Sequence, residues 1–267
     1  TRRRESLMIA ATTLAIPTSL PASAAEGLAS KLQKRDPALL TNSVFNVPPS
    51  VQVYPDFMRG ATWKVKSSFR GYLFPSQKIP KSRLTQDFEV PGFQKCSIAA
   101  ICDVGKESAE YEMRIDNQGL QDRQFTIQRE VDAFLGYPAV AQVIYDASRN
   151  PNRISIDFIE YKTRNAERIE LFCNARESEL YENEGQQVFV CSEYIRQVTF
   201  SGSANVGVAR QVIGNYAHFW TWKNAGNGKL TGNLLTAAYL DPQDSLYFDE
   251  PSKPVAIYSH ALTAIQI

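Results

Sequence analysis

From Trp63 to Leu73 the chain alternates apolar and polar residues with a period of two. Trp63, Val65, Phe69 and Leu73 fall on one face, and Lys64, Lys66, Ser68 and Arg70 on the other. Successive side chains of a strand point to opposite faces, so this pattern buries one face only and calls for an antiparallel sheet. The alternation returns at Tyr111/Met113/Ile115, Phe125/Ile127, Ile154/Ile156/Phe158 and Ile169/Leu171/Cys173, each with polar residues between. Further strand-like runs cover Ala139–Tyr145, Val188–Phe200, Val208–Trp222, Lys229–Leu240 and Pro254–Ile265. Asn150-Pro151-Asn152 and Gly226-Asn227-Gly228 supply turn chemistry between them. One short helix fits, over Arg129–Leu135, and the prolines at 75, 80 and 91 make Pro75–Cys102 a long loop. About ten strands with almost no helix predict an all-β, antiparallel barrel or sandwich.

The first 24 residues read as an address. Arg2, Arg3 and Arg4 precede a weakly apolar run from Leu7 to Leu20, and Ala22-Ser23-Ala24 gives a small-residue cleavage pattern. A cationic start, a short apolar middle and an A-x-A end describe an export signal, and the paired arginines fit the twin-arginine type. The expected organisation is a cleaved signal over 1–24, a linker over 25–50 with a short helix near Leu28–Arg35, and one β-domain over 51–267. The whole chain carries +1, and the leader's Arg2–Arg4 and Glu5 account for +2 of it, so the mature chain is nearly neutral. Such a balance leaves no electrostatic footprint for nucleic acid. No apolar run after the leader reaches membrane-spanning length, so the mature form is expected to have no membrane span.

The four cysteines fall into two local pairs, Cys96 with Cys102 and Cys173 with Cys191. An even count in an exported chain predicts two disulfides, with buried free thiols as the alternative. Their spacing is not that of a zinc site, and His218 and His260 are the only histidines, so no metal or other cofactor is expected.

Two stretches resemble known families. Gly60-Ala-Thr-Trp63 is similar to the Gly/Trp opening of lipocalin-like (calycin) barrels, with one more residue between the two than that signature has. Phe69-Arg-Gly71-Tyr72-Leu-Phe74-Pro75 and Ala238–Asp249 resemble an uncharacterised cyanobacterial and plastid family. These resemblances imply a calycin-like antiparallel barrel of about 8–10 strands and a location in the thylakoid lumen, or in an equivalent exported lumen or periplasm.

Within such a barrel, Tyr216, His218, Trp220 and Trp222 alternate onto one face, and with Trp63 and Phe69 they are the candidate pocket residues. An aromatic wall with one titratable group suits a lipophilic small molecule; a packed barrel face with a hydrogen-bonded His is the plainer alternative. Asp241, Asp244 and Asp249 lack the spacing of a calcium loop, Ser201-Gly202-Ser203 is no nucleophile elbow, and the acidic run Glu177–Glu184 suits an exposed hairpin. With no catalytic constellation in view, the expected role is non-enzymatic: binding a lipophilic ligand or assisting a photosynthetic membrane complex. A lumenal enzyme acting on a lipophilic substrate such as a carotenoid is the alternative. An apolar cavity would mark a binder, and a perturbed acid or base inside it an enzyme.

Overall fold

The computed structural model describes residues 26–34, 50–86, 107–163, 166–201 and 210–267. Nine strands lie among them: β1 (Ala61–Leu73), β2 (Ser108–Ile115), β3 (Val140–Asp146), β4 (Asn150–Phe158), β5 (Arg168–Asn183), β6 (Gln186–Ser201), β7 (Arg210–Gly226), β8 (Lys229–Tyr239) and β9 (Pro254–Gln266). They form one antiparallel sheet in the order β2-β1-β9-β8-β7-β6-β5-β4-β3. Strands adjacent in sequence are adjacent in the sheet, as short connections favour, with two exceptions: β9 returns to pair with β1, and β2 and β3, consecutive in sequence, lie at opposite edges with a helix between them in the chain. Two-residue turns at Glu184-Gly185 and Asn227-Gly228 join β5 to β6 and β7 to β8, and all four residues have positive φ. That is the turn geometry whose twist matches the flanking strands. Among the described residues no helix is long and apolar enough to cross a membrane.

The fold is all-β, yet the sheet does not close on itself through hydrogen bonds. Its edges are β2 and β3, and helix α3 (Arg123–Leu135) packs against both of them. The sheet is strongly curled, because inward residues of β1, β2, β6, β7 and β8 meet in one cluster. The all-β class and the nine antiparallel strands are as expected; what differs is that α3, rather than a strand pairing, spans the gap between the two edges. Two shorter helices complete the set, α1 (Leu28–Lys34) and α2 (Lys81–Gln86). The first is the short helix legible near Leu28–Arg35. It lays Leu28 and Ala29 on the outer face of the sheet against Val188, Val190, Ala217 and Phe219, and the Ala29 N–H donates to Glu179 at 2.8 Å. Both faces of β6 and β7 are therefore buried here, which explains why Val188–Cys191 reads as a continuous apolar run.

Three expectations give way to the structure. The segment around Phe125 and Ile127, whose alternation suggests a strand, forms the first turns of α3. The Asp122 side chain accepts from the Phe125 N–H at 3.1 Å to start that helix, and Gly136 ends it at φ 85°. These two caps outweigh five residues of alternation. Leu73 does not share a face with Trp63, because Gly71 (φ 138°) sits in a bulge that shifts the register of β1 against β9 and leaves Leu73 exposed. Cys173 and Cys191 are free, buried thiols rather than a disulfide. Cys173 pairs with Ile195, four positions along β6 from Cys191. At about 3.4 Å per residue that places the two thiols roughly twice as far apart as the 7 Å or so a bridge allows. The other expected bridge, Cys96–Cys102, and the cleavage site before Ala25 lie outside the described residues.

Along the strands the inner face divides into two parts. At one end Trp63, Val65, Met113, Phe189, Trp222, Leu230 and Leu262 fill the interior. Gly232 is needed there: a Cβ would lie 2.2 Å from the Thr221 carbonyl oxygen and 3.1 Å from the Trp222 ring. Toward α3 the inward positions become mixed, and the interior is hollow.

Candidate functional site

The hollow lies between α3 and the inner face of β4–β8, and about 120 Å³ of it admits the centre of a water molecule. One ordered water needs about 10–15 Å³ on that measure, so the space takes a small organic molecule. Ile154 and Ile156 of β4, Ile169 and Leu171 of β5, Ile195 of β6 and Leu234 of β8 give it an apolar wall. From α3, Ile127, Val131 and Phe134 face them, and Arg123, Thr126 and Glu130 share the same stripe. Spacings of three and four residues bring these side chains onto one side of a helix.

Of the six pocket residues expected from the sequence, Tyr216, His218 and Trp220 line this cavity. Their rings follow one another along β7, edge-on and tilted rather than stacked, with centroids 4.8 and 5.0 Å apart. Trp222 and Trp63 belong to the filled end instead; the Trp63 indole N–H donates to the Met58 carbonyl at 3.0 Å. Phe69 packs with Ala238, Ala256 and Tyr258, its ring 5.4 Å from that of His260. All three point inward, but on parts of the sheet where side chains already fill the interior. Asp241 and Asp244 serve their own turn: Asp241 accepts from Asn215 at 2.9 Å, and the Asp241 N–H donates to Asp244 at 2.7 Å. Among the described residues no group of three or more His, Cys, Asp or Glu is placed to hold a metal ion.

The polar groups of the cavity are organised. Glu193 on β6 is buried and accepts from two arginines: Arg176 Nε at 2.7 Å, and Arg123 through both Nη atoms, Nη1 at 3.4 Å. Burial disfavours its carboxylate, but Arg123 and Arg176 outweigh that and hold its pKa at about 2. Arg176 directs its remaining donors at the Ser50 and Pro151 carbonyls and the Asn152 side chain. His218 Nδ1 lies 2.9 Å from Thr236 Oγ1. Burial lowers its pKa to about 4, against a smaller opposing pull from Glu193, so the ring is neutral at pH 7. Glu130 moves the other way. Burial raises its carboxyl to about 7, and the hydrogen bond from Tyr111 only partly offsets this. Gln197 links Thr199, 2.9 Å away, to the Tyr216 hydroxyl.

Sequence reasoning missed Arg123, Glu130, Arg176, Glu193 and Gln197. One signal was available on β6. Phe189, Cys191, Glu193, Ile195 and Gln197 share a face, so two polar side chains stand in an apolar row and must find partners inside.

Comparison with known proteins places this arrangement in a family but not in a function. A model of a domain of unknown function, DUF6816, matches residues 47–264, most of the chain, which therefore belongs to that family. No curated protein and no solved structure matches it.

Proposed function

We propose that this member of the family is a non-enzymatic binder of a small lipophilic molecule, held between α3 and the inner face of the sheet, and that it works in the thylakoid lumen. The observation that carries the binding reading is the largely apolar, walled space beneath α3, beside the part of the interior that Trp63, Phe189 and Trp222 fill. Protein interiors seldom leave such a volume empty, because each void forfeits contacts. The export-type leader and the plastid-family resemblance support the location.

The test is direct. Protein purified from its native compartment, extracted with organic solvent and analysed by mass spectrometry, is expected to yield one stoichiometric lipophilic species. Ile156→Trp, which fills the hollow, is expected to lose that species while staying folded. Equal recovery from both forms would place the ligand elsewhere and end the reading.

Glu130 favours a second reading, a lumenal enzyme acting on a lipophilic substrate. A carboxyl raised to about 7 is suited to passing a proton at neutral pH. The binder remains preferred, because Glu130's partner is a tyrosine hydroxyl and the buried carboxylate Glu193 is held ionised by its arginines. Incubation with the extracted species separates the two. Conversion to a product that Glu130→Gln abolishes would establish the enzyme.

A further inference from the structure

The charges around the cavity do not balance. Arg123 and Arg176 are two cations that share a single carboxylate, Glu193, and all three are buried. Burying one unneutralised charge costs several kcal/mol unless something compensates it. Arg176 is solvated by the backbone and by Asn152, and it does not face the cavity. Arg123 is different: it lines the cavity, is 7% exposed, and hydrogen-bonds only Glu193 among the described residues. A guanidinium has five N–H donors in a planar fork, and Glu193 takes two of them; the Tyr145 ring, 5.6 Å away, offers the cation a π-face but no counter-charge. Arg123 is also the first residue of α3, where the helix dipole adds positive potential. Glu130 is no substitute counter-ion, since it sits two turns along the helix, about 10 Å away.

We infer that the ligand of this cavity carries one anionic group, a carboxylate on an otherwise lipophilic body, which Arg123 receives and which neutralises the Arg123–Glu193–Arg176 cluster. The inference rests on the binding reading above and narrows its ligand class. The apolar body lies along Ile154, Ile156 and Val131 with the acid at the helix start, which gives the ligand a fixed direction.

Competition for a neutral fluorophore, N-phenylnaphthylamine, bound to the full chain at pH 7 tests this. Octanoate and 1-octanol have similar apolar bodies and differ in the head group. Octanoate is expected to displace the fluorophore about tenfold more tightly, the worth of one charge-assisted hydrogen-bond contact. Arg123→Gln is expected to erase that preference, while Arg123→Lys keeps part of it. Equal displacement by acid and alcohol in the native chain overturns the anion assignment and leaves the apolar site standing. A preference that survives Arg123→Gln in folded protein overturns Arg123's role. If neither compound nor the fluorophore binds, the binding reading falls and takes this inference with it. The octanoate–octanol comparison in native protein decides the ligand class even if Arg123→Gln fails to fold.

Discussion

The two parts of the barrel interior are built from the same strands by the same alternation, yet one is solid and the other hollow. On β7 the inward row runs Trp222, Trp220, His218, Tyr216; on β6 it runs Phe189, Cys191, Glu193, Ile195, Gln197. The change from filled to hollow follows the change from apolar to polar in both rows. In the filled part, side chains from facing strands meet directly across the curled sheet. In the hollow part, α3 stands between the edges of the sheet, and the side chains beneath it do not fill the gap. Inward-facing polar groups thus mark where strand-to-strand packing stops.

The sharpest way to break this contrast is a matched pair of truncations. Trp222→Ala removes a 2%-exposed ring from the filled part, and large-to-small changes of this kind cost about 3–5 kcal/mol. Ile156→Ala, on the cavity wall, is expected to cost about 2 kcal/mol, the low end for its type, since it enlarges a space already present. Chemical denaturation measures both, and equal losses would mean the two parts are packed alike.

A second effect, of roughly 3 kcal/mol for each group, is expected from pH, and it belongs to the hollow part alone. His218 is depressed to about 4, so its contribution is complete above its ordinary value near 6.5 and is lost as pH falls through 4. Glu130 is raised to about 7, so its contribution is complete below about 4.5 and is lost as pH rises through 7. The two slopes oppose each other in the native chain. His218→Gln is therefore expected to leave a stability that declines from pH 4.5 to 7, and Glu130→Gln one that climbs from pH 4 to 6.5. Denaturation midpoints across that range check both signs, and parallel curves for the two variants would contradict the placement of these groups.

The smallest effect tests the strand phase. Leu73 is 59% exposed past the Gly71 bulge, so Leu73→Ser should alter stability by about 0.5 kcal/mol or less. A loss like that of Trp222→Ala would return Leu73 to the inward row.

The solid part was legible in the sequence because its signal is local. Trp63, Val65, Met113 and Trp222 announce their burial through their immediate neighbours. The hollow part was legible along β7, where aromatic residues crowd one face, and in the alternation of Ile154/Ile156 and Ile169/Leu171 that makes its apolar wall. Its charged cluster joins Arg123, Arg176 and Glu193, residues brought together by a helix and two strands, and no short window of sequence contains more than two of them. Alternation failed at Phe125 and Leu73 for a related reason. A capped helix and a glycine bulge each change the period within a few residues, faster than the pattern can register it.

The seating of α3 between β2 and β3 has a consequence for the protein's life in a crowded compartment. Each of these strands pairs with a strand on one side only, and on the other side α3 takes up backbone groups: Thr126 accepts from the Arg114 N–H, Asp132 accepts from the Val140 N–H, and Gln124 donates to the Tyr145 carbonyl. Unguarded strand edges recruit further strands, from other copies as readily as from the same chain. The helix that walls the cavity therefore also covers both borders of the sheet. Any lasting excursion of α3 from its seat would expose two adhesive borders at once.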